Sequence, residues 1–243
     1  MTAYYNEIEP FAAQWLRNLI DAGHLPAGDV DDRSIADVQP IDLSGYTQCH
    51  FFAGLGGWPV AARLAGWPDD RQLWTGSAPC QPFSRAGKQA GSDDERHLWP
   101  HLFRLTRARR PAVLMGEQVA AAVGKHWFDN MHADLESIDY ACRAVVVPAC
   151  AVSARHRRDR LWFVAHSERD EQSRQESRQR PAGRVGRQQQ PVAWHGDWEG
   201  ALRAFRALDH GIQRSVGGTD AARNAIVPQV AAEVMAAYME CRP

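Results

Sequence analysis

Short apolar segments suited to strands alternate along this chain with amphipathic segments suited to helices. That pattern admits few architectures besides a mostly parallel sheet wound with helices on both faces. Ala3-Tyr4-Tyr5 can form a first strand. Pro10 starts a helix running to about Ala22, with Phe11, Trp15, Leu16 and Leu19 on one face and Gly23 at its end. A turn is expected at Pro26, Gly28 and Asp29. Further strands are read at Gln48 to Ala53, Gln72 to Gly76, Ala112 to Met115, Arg143 to Val147 and Leu161 to Ala165. Helices are read at Gly57 to Gly66, Leu98 to Ala108, Trp127 to Ile138 and Val227 to Tyr238. The expectation is an α/β fold, a doubly wound and mostly parallel Rossmann-like sheet.

A chain of 243 residues can bury one substantial core with a small appendage. Five cysteines without paired spacing, and no basic and apolar leader, suit a reducing cytoplasm. No apolar run approaches the roughly 18 residues of a membrane span. The net charge of -1 favours no partner, but its distribution is uneven: from Ser153 to Arg187 ten arginines face five acids, with no lysine. This stretch is the footprint best suited to phosphate. After His166 the texture turns polar and of low complexity, with Arg174, Gln175, Arg178, Gln179, Arg180 and the run Gln188-Gln189-Gln190. Residues 1–166 and 214–243 are therefore expected to form the main domain, and 167–213 a short Arg/Gln-rich segment.

Cys49, Cys142 and Cys150 lie in strand-like or core-like contexts and are expected to be small buried hydrophobes. Cys80 differs. In Pro79-Cys80-Gln81-Pro82-Phe83-Ser84, two prolines and a serine exclude a strand interior and present the thiol on a loop. A thiol of pKa near ~8.5 is only a few per cent thiolate at neutral pH, so a working nucleophile needs donors or positive charge nearby. A zinc deaminase also carries Pro-Cys, but here the second cysteine is replaced by Phe83 and no His-x-Glu triplet precedes it. His97, His101, His126 and His132 are too loosely spaced for a metal cluster.

Covalent attack on a pyrimidine fits better. Addition of a cysteine to C6 makes C5 nucleophilic if a carboxyl group at N3 and N4 and an arginine at O2 stabilise the charge that develops on the ring. Glu117 follows the strand Ala112 to Met115, and carboxyl ends of parallel strands gather ligands. Arg155, Arg157, Arg158 and Arg160 lead into the strand Leu161 to Ala165. The turn Phe52-Ala53-Gly54-Leu55-Gly56-Gly57 lets backbone approach a ligand between a strand and a helix. Trp58-Pro59 stands where a dinucleotide fingerprint has its third glycine. Glu7 and Asp29 suit ribose hydroxyls or an adenine amine, and equally a cap or a solvated turn.

Taken together, Gly54-Leu55-Gly56, Pro79-Cys80-Gln81, Glu117-Gln118-Val119, His156-Arg157-Arg158-Asp159-Arg160 and Asn224-Ala225-Ile226-Val227-Pro228 resemble the ordered motifs of the DNA (cytosine-5)-methyltransferase family. The likeness covers nearly the whole chain except about residues 167–213 and is nearest to small phage and prophage enzymes. In the usual order the acidic cofactor motifs lie between the glycine turn and the cysteine loop, where this chain has only Trp58 to Ala78. Asn6-Glu7-Ile8-Glu9-Pro10-Phe11-Ala12 resembles the ribose-binding motif and Gly28-Asp29-Val30 the adenine-binding one. The resemblance therefore implies a permuted domain, with the two edge strands first in sequence and the glycine-turn strand third.

The resemblance further implies S-adenosyl-L-methionine as cofactor, surrounded by Phe52, Gly54, Leu55 and Gly56. Glu7 would take the ribose hydroxyls, Ile8 and Val30 would sandwich adenine, and Asp29 would accept from its amine. Pro79, Leu98, Asn224 and Ile226 would close the pocket. Cys80 would add to C6 of a cytosine flipped from double-stranded DNA, Glu117 would bind N3 and the N4 amine, and Arg160 with Arg158 would bind O2. Residues 167–213 would serve target recognition, a cognate restriction endonuclease could accompany the enzyme, and a monomer is the default state. The chain departs from the family at Arg223, where glycine is usual, at Gln118 in place of asparagine, and at His156 in place of glutamine. Competing readings are an impaired methyltransferase fold that only binds DNA, a nucleotide-level pyrimidine C5 transferase, and a nicotinamide oxidoreductase that would leave Cys80, Glu117 and Arg160 without roles.

Overall fold

The computed structural model describes residues 2–78, 98–121, 127–154, 156–167 and 225–242. The elements are β1 (Thr2–Asn6), α1 (Pro10–Asp21), β2 (Gly28–Asp31), β3 (Tyr46–Phe51), α2 (Gly57–Leu64), β4 (Leu73–Gly76), α3 (Trp99–Arg109), β5 (Val113–Val119), α4 (Trp127–Glu136), β6 (Tyr140–Pro148), β7 (Asp159–Ser167) and α5 (Pro228–Cys241). Single 3-10 turns stand at Pro40–Leu43 and Ala149–Val152.

Seven strands form one sheet in the order β2-β1-β3-β4-β5-β7-β6. The pairings from β2 across to β5 are parallel, and β7 runs antiparallel to both β5 and β6. The antiparallel strand follows from its connection. Too few residues separate β6 from β7 for a crossover helix, so the chain turns back beside β6. The fold is the expected Rossmann-like one; of the first two strands in sequence only β2 is at an edge, and β1 lies between it and β3, the strand that leads into the glycine turn.

Strand alternation sends successive side chains to opposite layers. On β1, Tyr4 joins a core cluster with Leu102 and Leu105 of α3 and Met131 and Leu135 of α4. Ala3 and Tyr5 face Leu16 and Leu19 of α1 instead. On β5, Leu114 enters the first of these clusters, while Val113 and Met115 meet Trp58 and Ala61 of α2 and Val230 and Met235 of α5. Pro10 opens α1 behind Glu9, whose carboxylate accepts from the Ala12 amide at 2.8 Å, and Gly23 leaves it with φ 73°.

Three local expectations change. Gly28 and Asp29 lie in strand β2 instead of a turn, because glycine is what lets β2 approach β1: a Cβ at Gly28 would stand 2.0 Å from the Ala3 carbonyl oxygen. Strand β5 continues past Met115 to Val119, so Glu117 lies within it. A Cβ at Gly116 would meet the Phe163 ring at 2.3 Å and the Gly76 carbonyl at 2.5 Å, so this glycine serves close strand and ring packing where the sequence suggested an end. Cys49 and Cys142 are buried, but Cys150 is exposed, because the 3-10 turn after Pro148 carries it off the sheet. No described helix is long and apolar enough to cross a membrane. The expected recognition segment, 167–213, lies outside the described residues except for Ser167, which ends β7.

Candidate active site at the carboxyl ends of the strands

The glycine turn grows directly out of β3. Phe52, Gly54 and Gly56 all take positive φ, at 53°, 53° and 80°, which folds the backbone tightly before α2 begins at Gly57. Glycine adopts this region at no steric cost, whereas Phe52 holds it only because its surroundings fix it. Leu55 lies half-buried between Gly54 and Gly56.

Strand β1 ends beside this turn. The Ala53 amide donates to the Asn6 carbonyl, and the Glu7 amide to the Asp31 carbonyl, both at 3.0 Å. Glu7 then reaches across. One carboxylate oxygen accepts from the Gly54 amide at 2.7 Å and the other from the Glu9 amide at 2.9 Å. Glu7 is thus both a local turn acceptor and a carboxylate held against the glycine turn. Ile8 follows with 63 % of its surface exposed. Asp29 and Val30 stand within β2, and Asp29 accepts from the Tyr46 hydroxyl at 2.6 Å. They line an open cleft of about 470 Å³ with Tyr4 and Tyr46. At the end of β2, Asp31 accepts from the Tyr4 hydroxyl at 2.7 Å and from Arg33 at 2.7 Å. Burial alone would raise the Asp31 pKa; the bonds from Arg33 and Tyr4 outweigh it and hold the carboxyl down at about 2.

One further segment closes on the turn. Ile226, just before α5, packs so tightly that a Cβ at Gly57 would lie 2.5 Å from its Cγ1. Leu98 packs against the core at the start of α3. The Trp58 indole donates to the Ser77 hydroxyl at 3.0 Å, tying the first turn of α2 to the chain leaving β4. Cys80, Pro79 and Asn224 lie outside the described residues, as does Arg223.

The acid and the arginines meet on β5 and β7. Antiparallel register sets Val119 opposite Arg160 and Glu117 opposite Trp162, so Glu117 and Arg160 share one face as diagonal neighbours. Their side chains pair at 2.7 Å, the carboxylate only 10 % and the arginine 20 % exposed. Burial raises the proton affinity of Glu117 above that of an ordinary glutamate, against the opposing charges of Arg160 and Arg158. The group is therefore shaped to hold a proton as well as a charge. Arg158 takes φ 39° and donates to the Ala225 carbonyl at 2.9 Å. Burial and the neighbouring Arg160 charge weaken its hold on a proton, Glu117 opposing them. Arg157 is exposed and pairs with Asp159 at 3.0 Å, while His156 is exposed.

Glu7, the glycine turn, Ile226, Glu117, Arg158 and Arg160 therefore gather at one end of the sheet, the carboxyl end of its parallel strands. Two contacts here escape sequence reasoning. Gln118 is buried and donates to the Ala78 carbonyl at 3.0 Å, two residues before Cys80. Arg158 bonds backbone 67 positions away. The sequence marks Gln118 only by its place beside Glu117 and Arg158 as a candidate for O2, and neither of these backbone partners is legible there.

Comparison with known proteins bears on the same residues. A family model described as C-5 cytosine-specific DNA methylase matches residues 51–194, more than half of the chain. Similar curated proteins include the type II methyltransferase M.NgoMIV of Neisseria gonorrhoeae, 32% identical over 100 residues, which are 40% of this chain and 32% of that protein. Another is the type II methyltransferase M.HhaI of Haemophilus parahaemolyticus, 27% identical over 99 residues, 39% of this chain and 30% of the other. The chain thus spans about a third of the length of these relatives. Among solved structures, the Dnmt2 methyltransferase of S. pombe aligns with a TM-score of 0.43 at 12% identity, covering 69% of this chain and 51% of that one. Since the matched region runs from the end of β3 through the cysteine loop, Glu117 and both arginines, the chain belongs to the C-5 cytosine-specific DNA methylase family.

Proposed function

We propose that this chain is a DNA cytosine C5 methyltransferase that takes its methyl group from S-adenosyl-L-methionine. The observation that carries the reading is the buried Glu117–Arg160 pair at the carboxyl end of β5, at the sheet position where a flipped base would need a proton donor and a cation. Glu117, with its raised proton affinity, protonates N3 and accepts from the N4 amine, while Arg160 binds O2. Cys80 forms a bond to C6, so that C5 becomes the nucleophile. After C5 gains its methyl group it loses its proton to water, and the electron pair released expels the Cys80 thiolate.

The residues present fit the cofactor. Its sulfonium supplies an electrophilic methyl group, and the chain supplies a cradle of glycine backbone, a carboxylate and an apolar cover. The missing Cβ at Gly57 leaves room for Ile226 against the Gly54–Gly57 turn, and Glu7 accepts from the Gly54 amide of that turn. In this reading Glu7 takes the ribose hydroxyls and Ile8 offers adenine an exposed apolar face. Asp29 and Val30, below the end of β2, and Pro79, Leu98 and Asn224 complete the pocket. The family match starts at residue 51, after β1, α1 and β2, yet β1 pairs with β3 and β2 with β1 in the same sheet. This supports a permuted domain whose acidic cofactor motifs come first. Duplex DNA is the substrate, with 167–213 as its recognition segment, and the type II relatives suggest a place beside a restriction endonuclease.

The test is incubation with mixed-sequence duplex DNA containing 5-fluorocytosine and S-adenosyl-L-methionine. Fluorine at C5 blocks the last elimination, so a denaturation-resistant, cofactor-dependent adduct absent from Cys80→Ser is expected. A folded protein that binds DNA and yields no adduct overturns the reading in favour of an inactive DNA-binding module.

A further inference from the structure

Arg158 and Arg160 are two positions apart, and in a continuous strand their side chains would share one face. Among the described residues, one bonds to a backbone carbonyl and the other to a carboxylate. Strand β7 starts at Asp159, and Arg158 takes a left-handed φ of 39°, which breaks the alternation just before it is established. A non-glycine residue in that region is costly and persists only where its surroundings hold it. Arg160 goes to Glu117 at 2.7 Å, and Arg158 goes to the Ala225 carbonyl at 2.9 Å.

The next residue after Ala225 gives that bond its meaning. Ile226 sits over Gly57 closely enough that the turn tolerates no Cβ there. The path from Arg158 through Ala225 and Ile226 therefore ends on the glycine turn, and Arg158 also feels the charges of Glu117 and Arg160. A guanidinium suits the task because it stays charged and its rigid fork holds a carbonyl in a fixed direction.

We propose that Arg158 is a positioning residue of the cofactor pocket, holding residues 225–227 over the glycine turn by its bond to the Ala225 carbonyl, and does not bind O2 of the base. The proposal rests on the methyltransferase reading for its ligand, but the segment it holds can be observed without any ligand.

The experiment compares wild type with Arg158→Ala, Arg158→Lys and Arg160→Ala. Equilibrium binding of S-adenosyl-L-methionine without DNA is followed by calorimetry, and backbone amide exchange over 225–231 is followed in the free protein. Arg158→Ala should weaken cofactor binding by about tenfold or more, the scale of one lost charge-assisted hydrogen bond. It should raise KM for the cofactor while kcat at saturating cofactor is largely kept, a split that general damage to the fold would not give. It should also speed exchange over 225–231. Arg158→Lys, which keeps one charged donor, should restore part of both effects, and it serves as the probe if the alanine variant does not fold. Arg160→Ala should leave cofactor affinity unchanged and reduce methyl transfer. Unchanged affinity in Arg158→Ala with reduced turnover would place Arg158 at the base and overturn the proposal. If wild type binds no S-adenosyl-L-methionine, the methyltransferase reading fails instead. Exchange over 225–231 then decides alone: faster exchange in Arg158→Ala or Arg158→Lys upholds the clamp, and unchanged exchange overturns it.

Discussion

Gln118 spans the gap between β5 and the chain leading to the cysteine loop. Its side-chain amide donates to the Ala78 carbonyl at 3.0 Å, and its own oxygen accepts from the Val119 amide at 2.9 Å. The bond to Ala78 is buried, and Gln118 adjoins Glu117, so one residue ties the strand carrying Glu117 to the chain two residues before Cys80. Gln118→Ala would leave a buried carbonyl without its donor, a loss of about 1–3 kcal/mol. The expected outcome is a lower melting temperature and a rate of covalent adduct formation on 5-fluorocytosine DNA reduced on the order of tenfold, since small misplacements of reacting groups are costly. Gln118→Asn, with its amide on a shorter arm, should recover part of that rate. An adduct rate in Gln118→Ala equal to wild type would show that the loop is positioned by other contacts.

The Glu117–Arg160 pair is buried enough for its parts to be unequal in consequence. Removing one member strands the other away from water, at a cost of about 3–5 kcal/mol, whereas replacing both with uncharged side chains of similar size costs much less. Urea unfolding should therefore show Arg160→Met strongly destabilised and Arg160→Met with Glu117→Gln largely restored. Methyl transfer should be lost in both. Full additivity of the two stability losses would mean that the side chains do not interact in solution.

The alternation of strands and helices was legible because each strand carries its own apolar run and each helix its own stripe. Direction was not legible from those runs: Leu161 to Val164 is as apolar as a parallel strand, and only the short connection from Pro148 to Asp159 forces β7 to turn back. Glycine misled at Gly28, where the missing Cβ serves strand packing and nothing local separates that use from a turn. Glu117 and Arg160 could be nominated because a carboxyl group and a guanidinium beside strand ends suit charge developing on a pyrimidine, but the partners Ala78 and Ala225 are backbone carbonyls that any sequence would supply. Which carbonyl a side chain reaches depends on topology, and topology emerges only when the sheet is assembled.

Gly57 offers a test of how tightly the C-terminal segment covers the turn. In Gly57→Ala the new methyl group meets Ile226 Cγ1 at 2.5 Å, so either the isoleucine or the segment must shift. Overpacking of this kind costs about 1–3 kcal/mol. The expected result is lower stability and weaker S-adenosyl-L-methionine binding, both partly repaired by Ile226→Val in the same chain. If Gly57→Ala binds the cofactor as wild type does, close approach at this glycine is not needed for the pocket.

His50 supplies the pH dependence. It is fully buried on β3, stacked on Tyr5 with ring centroids 5.3 Å apart, and one ring nitrogen lies 2.8 Å from the Thr75 hydroxyl. Burial depresses its pKa from 6.5 to about 3. In the unfolded chain the imidazole takes up a proton below pH 6.5, and in the folded protein it does not until near pH 3. The unfolded state therefore binds more protons throughout that window. Stability from the neutral histidine is complete above pH 6.5 and is lost as pH falls toward 3, by at most about 1.4 kcal/mol per pH unit. Asp31, held down to about 2 from 3.8, adds its own loss only below about pH 4, so measurements between pH 6.5 and 4.5 isolate the histidine from it. Urea titrations across that interval should show a more negative change of stability with acidification in wild type than in His50→Gln, whose amide can still meet Thr75 but cannot charge; Glu117, with its raised proton affinity, acts in the opposite direction equally in both proteins. Equal slopes in the two proteins would mean that His50 takes up its proton without unfolding the sheet.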